Sequence, residues 1–300
     1  MNAPARSDAD QAARVVASFG RHYLIAGASG RILTASRRGK RGDVIVGDMV
    51  RYRNTGDSQA VIDEVMPRHG VLFRADQQRT KPMAANVDQV AVVFAAQPAF
   101  NLRFVWRALV AADAAGIASL AILNKIDLPG SQEAIQRLEQ ISSLGYRTAA
   151  ISAKRDPVHA RDALRPILVR RATLLIGQSG MGKSTLLNLL VPGADMRTQE
   201  FSRHLNLGRQ TTTLSRWFAL EAGGALIDTP GFQAFGLAHL DAPGVVAAFP
   251  EFQPYLGRCR FLDCRHAAEP DCAIRVAVDA HRIDSQRYDF YRELIVECVR

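Results

Sequence analysis

The stretch Leu174-Leu175-Ile176-Gly177-Gln178-Ser179-Gly180-Met181-Gly182-Lys183-Ser184-Thr185 decides the fold. An apolar strand-like run enters G-x-x-x-x-G-K-[ST] and an apolar helical run, Ser184–Leu190, leaves it, which is the context a phosphate-binding loop requires. The glycines let the backbone wrap phosphates and point N–H groups at them, at a helix N-terminus that already favours anions. Lys183 is expected to neutralise β- and γ-phosphates and the Ser184 hydroxyl to ligate Mg²⁺, with Gly177 through Thr185 lining the nucleotide.

A phosphate loop alone does not choose between ATP and GTP. Asn124-Lys125-Ile126-Asp127 chooses, because it follows the strand-like run Leu120–Leu123, at the end of the sheet where open α/β folds bind ligands. The Asp127 carboxylate can accept two hydrogen bonds from the ring N–H and amino group of guanine. Adenine has no such pair of donors, so an adenine site would leave Asp127 unpaired. Asn124 is expected to tie the base to the phosphate loop, and Lys125 to lie along the base. Ser152-Ala153-Lys154, also after a strand, fits a loop whose Ala153 N–H reaches the guanine oxygen. Both motifs precede the phosphate loop, whereas an ordinary GTPase has them after it. That rotated order is a circular permutation.

Asp228-Thr229-Pro230-Gly231 follows the strand-like Ala225-Leu226-Ile227. It offers an acidic residue for the Mg²⁺ shell and, at Gly231, an N–H for the γ-phosphate. Between it and the phosphate loop lies Gly208-Arg209-Gln210-Thr211-Thr212-Thr213, with three threonines able to complete Mg²⁺ coordination and no pattern that selects one. After Gly231, where many GTPases carry a water-orienting glutamine, stands Phe232, which cannot hydrogen-bond water. Intrinsic hydrolysis is therefore expected to be slow and to need a partner.

Alternation of strand-like and helical runs over 79–236 reads as a mainly parallel sheet with helices on both faces, ended by an antiparallel edge hairpin at Gly223-Gly224. Residues 21–78 carry short β-rich runs, among them Val44-Ile45-Val46, and read as a small barrel of the OB type. Residues 1–20 read as a flexible tail without the apolar block of a secretory signal. Cys259-x₄-Cys264-x-His266-x₅-Cys272, within 237–300, offers four ligands for a closed, structural zinc site. Cys298 reads as a buried small hydrophobe.

The formal charge of +9 suggests an anionic partner. From Arg21 to Arg79 there are eleven basic against six acidic residues, and Arg37, Arg38, Lys40 and Arg41 form the run expected to meet RNA phosphates. The bland reading of that run is a solvated loop. The longest apolar stretch, Val90–Ala96, is far below the ~18 residues of a membrane span. A soluble, cytoplasmic monomer is the expectation.

With permuted GTPase motifs, a barrel before them and a Cys₃His cluster after them, the chain resembles the ribosome small subunit-dependent GTPase A family, permuted GTPases of the TRAFAC class (YlqF/YawG-like). Arg38-Gly39-Lys40, Asn86-Val87-Asp88-Gln89-Val90, the two nucleotide motifs, Asp228–Phe232 and Glu269-Pro270-Asp271-Cys272-Ala273 carry the resemblance, which covers about residues 20–295. It implies a GTPase acting late in small-subunit maturation that binds ribosomal RNA through barrel and zinc domain. It further implies stimulation by the subunit and departure once GTP is cleaved. The family commonly has a histidine where this chain has Gln210, so any assistance that histidine gives must come differently here. The competing class is a nucleotide-switched RNA-binding assembly factor with little turnover.

Overall fold

The computed structural model describes residues 11–19, 21–37, 44–76, 79–196, 215–229, 237 and 240–298. The barrel comprises β1 (Gln11–Phe19), β2 (His22–Gly27), β3 (Ile32–Arg37), β4 (Met49–Asn54) and β5 (Gln59–Val65). Their order is β1-β2-β3-β5-β4, and β4 pairs back onto β1, so the sheet closes as an OB-like barrel without a free edge. Period-2 alternation turns Ala13, Val15, Tyr23, Ile25, Leu33, Ala35, Val50, Tyr52, Ala60 and Ile62 into its small core.

Two expectations change here. Gln11–Phe19 is not tail but the first barrel strand, because Ala13, Val15 and Ala17 alternate onto buried positions; residues 1–10 lie outside the described residues. Val44–Val46 is not a strand but leads into a turn, fixed when the Asp48 carboxylate accepts the Ile45 N–H at 2.8 Å and is itself held by Arg68 at 2.6 Å. Beyond the barrel, β6 (Leu72–Asp76) and β7 (Arg79–Ala84) form a separate two-stranded sheet.

The second unit alternates as its sequence predicts. Its elements are β8 (Gln89–Phe94), α1 (Leu102–Ala114), β9 (Ala118–Leu123), α2 (Ser131–Ser143), β10 (Arg147–Ala150), α3 (Pro157–Leu168), β11 (Ala172–Ile176), α4 (Lys183–Leu190), β12 (Ser215–Ala219) and β13 (Ala225–Asp228). Strands β10-β9-β8-β11-β13 lie parallel in that order, and β12 adds antiparallel to β13. A continuous apolar run such as Val90–Phe94, buried throughout, is what helices on both faces demand. The unanticipated α3 starts on Asp156, whose side chain accepts the His159 N–H at 3.1 Å, with Pro157 in the first turn. The β12–β13 hairpin is not an edge: Ala17 pairs with Arg216 and Ser18 with Ser215, so barrel and parallel sheet join into one eleven-stranded sheet.

The C-terminal segment forms α5 (Ala242–Ala247), a 3-10 turn (Pro250–Tyr255), α6 (Ala273–Asp279) and α7 (Ser285–Cys298). Helix α7 docks on α1: the rings of Trp106 and Phe290 are 5.6 Å apart, and Arg107 clasps Glu297 through contacts of 2.6 and 2.8 Å. The buried Arg287–Glu251 pair, at 2.7 Å, sits beneath the Phe249 ring. No helix among the described residues is long and apolar enough to cross a membrane.

Candidate functional site

The phosphate loop joins β11 to α4 at the carboxyl end of the parallel strands, held by its neighbours at close quarters. A Cβ on Gly177 would stand 2.3 Å from the Val93 carbonyl of β8. Gly182, at φ +93° before α4, would place one 2.3 Å from Asn124 Nδ2. Only glycine fits this left-handed, crowded position. The Lys183 ammonium folds over the loop and donates to the carbonyls of Gly177 at 2.5 Å and Gln178 at 2.8 Å. Ser184 and Thr185 are exposed at the start of α4, while Met181 is buried.

Asn124 brings the permuted motifs together. Its Nδ2 donates to the Met181 carbonyl at 3.0 Å, and its Oδ1 accepts the Ala153 N–H at 3.0 Å. One buried amide therefore ties the phosphate loop to the Ser152–Lys154 loop, across 57 residues in one direction and 29 in the other. The Ser152 hydroxyl donates to Oδ1 of the exposed Asp127. The Ile126 N–H bonds the Ile151 carbonyl at 3.3 Å, and Lys125, at φ +62°, reaches the Gln97 carbonyl at 2.9 Å. The Ala153 amide, expected to face the base, is here taken by Asn124.

Asp228 ends β13 beside Lys183 and the buried Arg216 of β12. Burial pushes the Asp228 carboxyl up, opposed by Arg216 and then Lys183; burial pushes Lys183 down, opposed by Asp228. Two cations and a carboxylate thus share one half-buried corner beside the phosphate loop, where each charge offsets the cost of burying the other. Thr229 is buried next to it. Thr211, Thr212, Thr213, Gln210, Gly231 and Phe232 lie outside the described residues.

Sequence reasoning missed three contributors: Arg216, and the β8–α1 segment around Gln97 and Asn101. The Asn101 N–H donates to the Gln178 side chain at 2.8 Å, and Pro98 lies against Gly180. Arg216 had a signal, a charge at an inward position of an alternating strand; the β8–α1 segment had none. A cleft of about 720 Å³, lined by Asp113, Ser119, Tyr146 and Gln253 among others, opens at the other end of these strands and contains none of the nucleotide motifs.

Cys259, Cys264, His266 and Cys272 converge with all ligand atoms within 4.8 Å of one another. Tetrahedral zinc, with Zn–S of about 2.3 Å and Zn–N of about 2.0 Å, demands S–S near 3.8 Å and S–N near 3.5 Å. The Cys259–Cys272 sulfurs are 3.9 Å apart, and His266 Nδ1 stands 3.4 and 3.5 Å from them. The residues fit the ion. Burial pushes the Cys264 thiol up to about 12 and His266 down, the response of a neutral site that a dication would reverse for the thiols. Tyr288 and Tyr291 donate to the His266 and Arg265 carbonyls at 2.9 and 2.5 Å, and Glu269 caps the amides of Arg265, Ala267 and Ala268. Cys298 stands apart, its thiol on the Leu237 carbonyl. Of the basic run, Arg37 ends β3 exposed; Arg38, Lys40 and Arg41 lie outside the described residues.

The geometry defines a class: a circularly permuted GTPase, flanked by a closed barrel and a helical Cys₃His module. The family model described as RsgA GTPase matches residues 65–238, over half the chain. The small ribosomal subunit biogenesis GTPase RsgA of Burkholderia pseudomallei strain 1710b is 47% identical over 286 residues, covering 95% of this chain and 91% of that protein. Its counterpart in Ralstonia pickettii strain 12J is 46% identical, covering 94% and 91%. Among solved structures, YjeQ from Thermotoga maritima matches with a TM-score of 0.75 at 26% identity over 96% of this chain and 98% of its own. YloQ, described as a circularly permuted GTPase, matches at 0.73 and 26% identity over 99% and 98%. The chain belongs to the RsgA GTPase family.

Proposed function

We propose that this chain hydrolyses GTP in the course of small ribosomal subunit maturation, binding the subunit in the GTP state and leaving after cleavage. The observation that carries the reading is Asn124, whose amide joins the phosphate loop to the guanine-side loops at one point. The names of the relatives support the ribosomal role.

In this reading the backbone amides of Gly177–Thr185 cradle the phosphates. Lys183 exchanges its loop carbonyls for β- and γ-oxygens. Ser184, Asp228 and one of Thr211, Thr212 and Thr213 would hold a magnesium ion, which would offset the charge of the phosphates, and the Gly231 N–H would serve the γ-phosphate. Asp127, oriented by Ser152, reads the guanine edge, while Asn124, Lys125, Ile126, Ala153 and Lys154 shape the base pocket. Cys259, Cys264, His266 and Cys272 would hold a zinc ion with four protein ligands, a structural role that would shape the module, which with Arg37, Arg38, Lys40 and Arg41 would meet ribosomal RNA. The protein acts as a cytoplasmic monomer.

The deciding experiment measures GTP hydrolysis with and without purified small subunits. Marked stimulation supports the reading; none at saturating subunit refutes it. In parallel, Asp127→Asn should weaken GTP and favour xanthosine triphosphate, and unchanged preference would refute the guanine assignment.

A further inference from the structure

A buried arginine stands where the strand pattern asks for an apolar residue. In β12, Arg216 and Phe218 alternate onto the covered face, 6% and 1% exposed. A guanidinium removed from water without a counter-charge costs several kcal/mol on the order of magnitude known for buried ions, so such a residue needs an anionic neighbour.

One acidic group of that sign lies across the hairpin. Arg216 is the register partner of Asp228, and cross-strand partners project from the same face of a sheet. Among the described residues, the charged groups that act on the Asp228 carboxylate are Arg216 from β12 and Lys183 from α4. The strand on its other side, β11, presents the apolar Leu175 in register. The Lys183 ammonium already lies over the phosphate loop, where bound phosphates would engage it. Arg216 is then the counter-charge left to Asp228 among the described residues. Its own strand is clamped on both sides, to Asp228 and to Ala17 of the barrel.

We propose that Arg216 is a positioning residue that balances and orients Asp228 for the magnesium ion accompanying GTP. The inference rests on the assignment of Asp228 to the metal shell. Arg216 touches neither nucleotide nor metal; it acts through the carboxylate, as the outer partners of metal ligands do.

The test reads binding, not turnover: affinity for a fluorescent non-hydrolysable GTP analogue, followed across a magnesium titration. Arg216→Met should raise the half-effective magnesium concentration about ten- to a hundredfold, the usual consequence of removing an outer-shell partner. Arg216→Lys should restore it to within about threefold, since charge rather than fork geometry is at issue. In an Asp228→Asn background, Arg216→Met should add nothing further. A Met variant that melts earlier but keeps the wild-type magnesium requirement, or a Lys variant as defective as Met, overturns the proposal; Arg216→Gln substitutes if Met does not fold. If Asp228→Asn alone leaves the magnesium requirement unchanged, the metal-shell assignment itself is wrong, and the proposal falls with it.

Discussion

Replacing Asn124 with alanine should disconnect the two halves of the nucleotide site. Asn124 is 2% exposed and makes two hydrogen bonds of 3.0 Å, one donated to Met181 and one accepted from Ala153. Its removal leaves a carbonyl and an amide unpaired in a covered space, at about 1–3 kcal/mol each, with water admitted by the lost side chain recovering part. A net loss of about 2 kcal/mol lowers the apo melting midpoint by roughly 4–8 °C for a domain of this size. Because the ligand must then re-order both loops, a similar penalty enters binding, close to a thirtyfold loss of GDP affinity. Asn124→Asp sharpens the test: one oxygen still accepts the Ala153 N–H, but the other now faces the Met181 carbonyl, so repulsion replaces attraction. It should be no better than alanine. Calorimetry of apo protein and fluorescence titration with GDP decide the matter. Both variants melting within about 1 °C of wild type and binding within twofold would refute the bridge as the organiser of the site.

Gly182→Ala should cost at least tenfold in GDP affinity, since a left-handed backbone costs about 1–3 kcal/mol and the new Cβ would drive into Asn124 Nδ2, 2.3 Å away; wild-type titration curves would contradict this. Cys272→Ser should abolish stoichiometric zinc, measured by atomic emission, and open the C-terminal module to limited proteolysis, whereas Cys298→Ser should leave zinc unchanged. Burial raises the Asp113 carboxyl to about 6, with Tyr146 donating to it. The folded state therefore holds that proton more tightly than the unfolded chain. The resulting stability is complete below about pH 4 and is lost as pH rises through 6, by roughly 3 kcal/mol from a shift of about two pK units. Asp113→Asn, which keeps an acceptor for Tyr146, should accordingly melt higher than wild type at pH 8 and lose that advantage below about pH 4; a pH-independent difference would refute the assignment.

What was legible in the sequence depended on how local its cause is. The phosphate loop, the Asn124–Asp127 motif and the Cys/His cluster are short runs recognisable from residue type and spacing alone, and each falls where a strand or turn was expected. Strand β1 was missed because a polar segment precedes it, and its reasons are remote: β4 and β2 within the barrel, and β12 some two hundred residues away. Helix α3 carries Pro157 and Pro166, residues that break a helix interior but here occupy the first turn and the last. Arg216 was visible as an oddity, yet its partner Asp228 is set by a hairpin register that no local pattern specifies.

The permutation also determines how the barrel is attached. By chain, the barrel enters the parallel sheet through β6 and β7 at β8; by hydrogen bonding, β1 grips the opposite flank at β12. Between those two points lie β11 and β13, the strands that carry the phosphate loop and Asp228. The nucleotide strands are thus spanned by one barrel fastened on both sides. The β12 connection is narrow, two paired residues per strand, with the guanidinium of Arg14 set 4.4 Å over the Trp217 ring beside it. A shift of β12 and β13 relative to β8 must either carry the barrel along or break that pairing, because a closed barrel has little freedom to shear internally. The strand after the threonine run is therefore mechanically continuous with the barrel, while the chain after Asp228 runs on toward the Cys₃His module. Two flanking units are thus tied to β12 and β13, the barrel by the pairing of β1 with β12 and the Cys₃His module by the chain that follows β13.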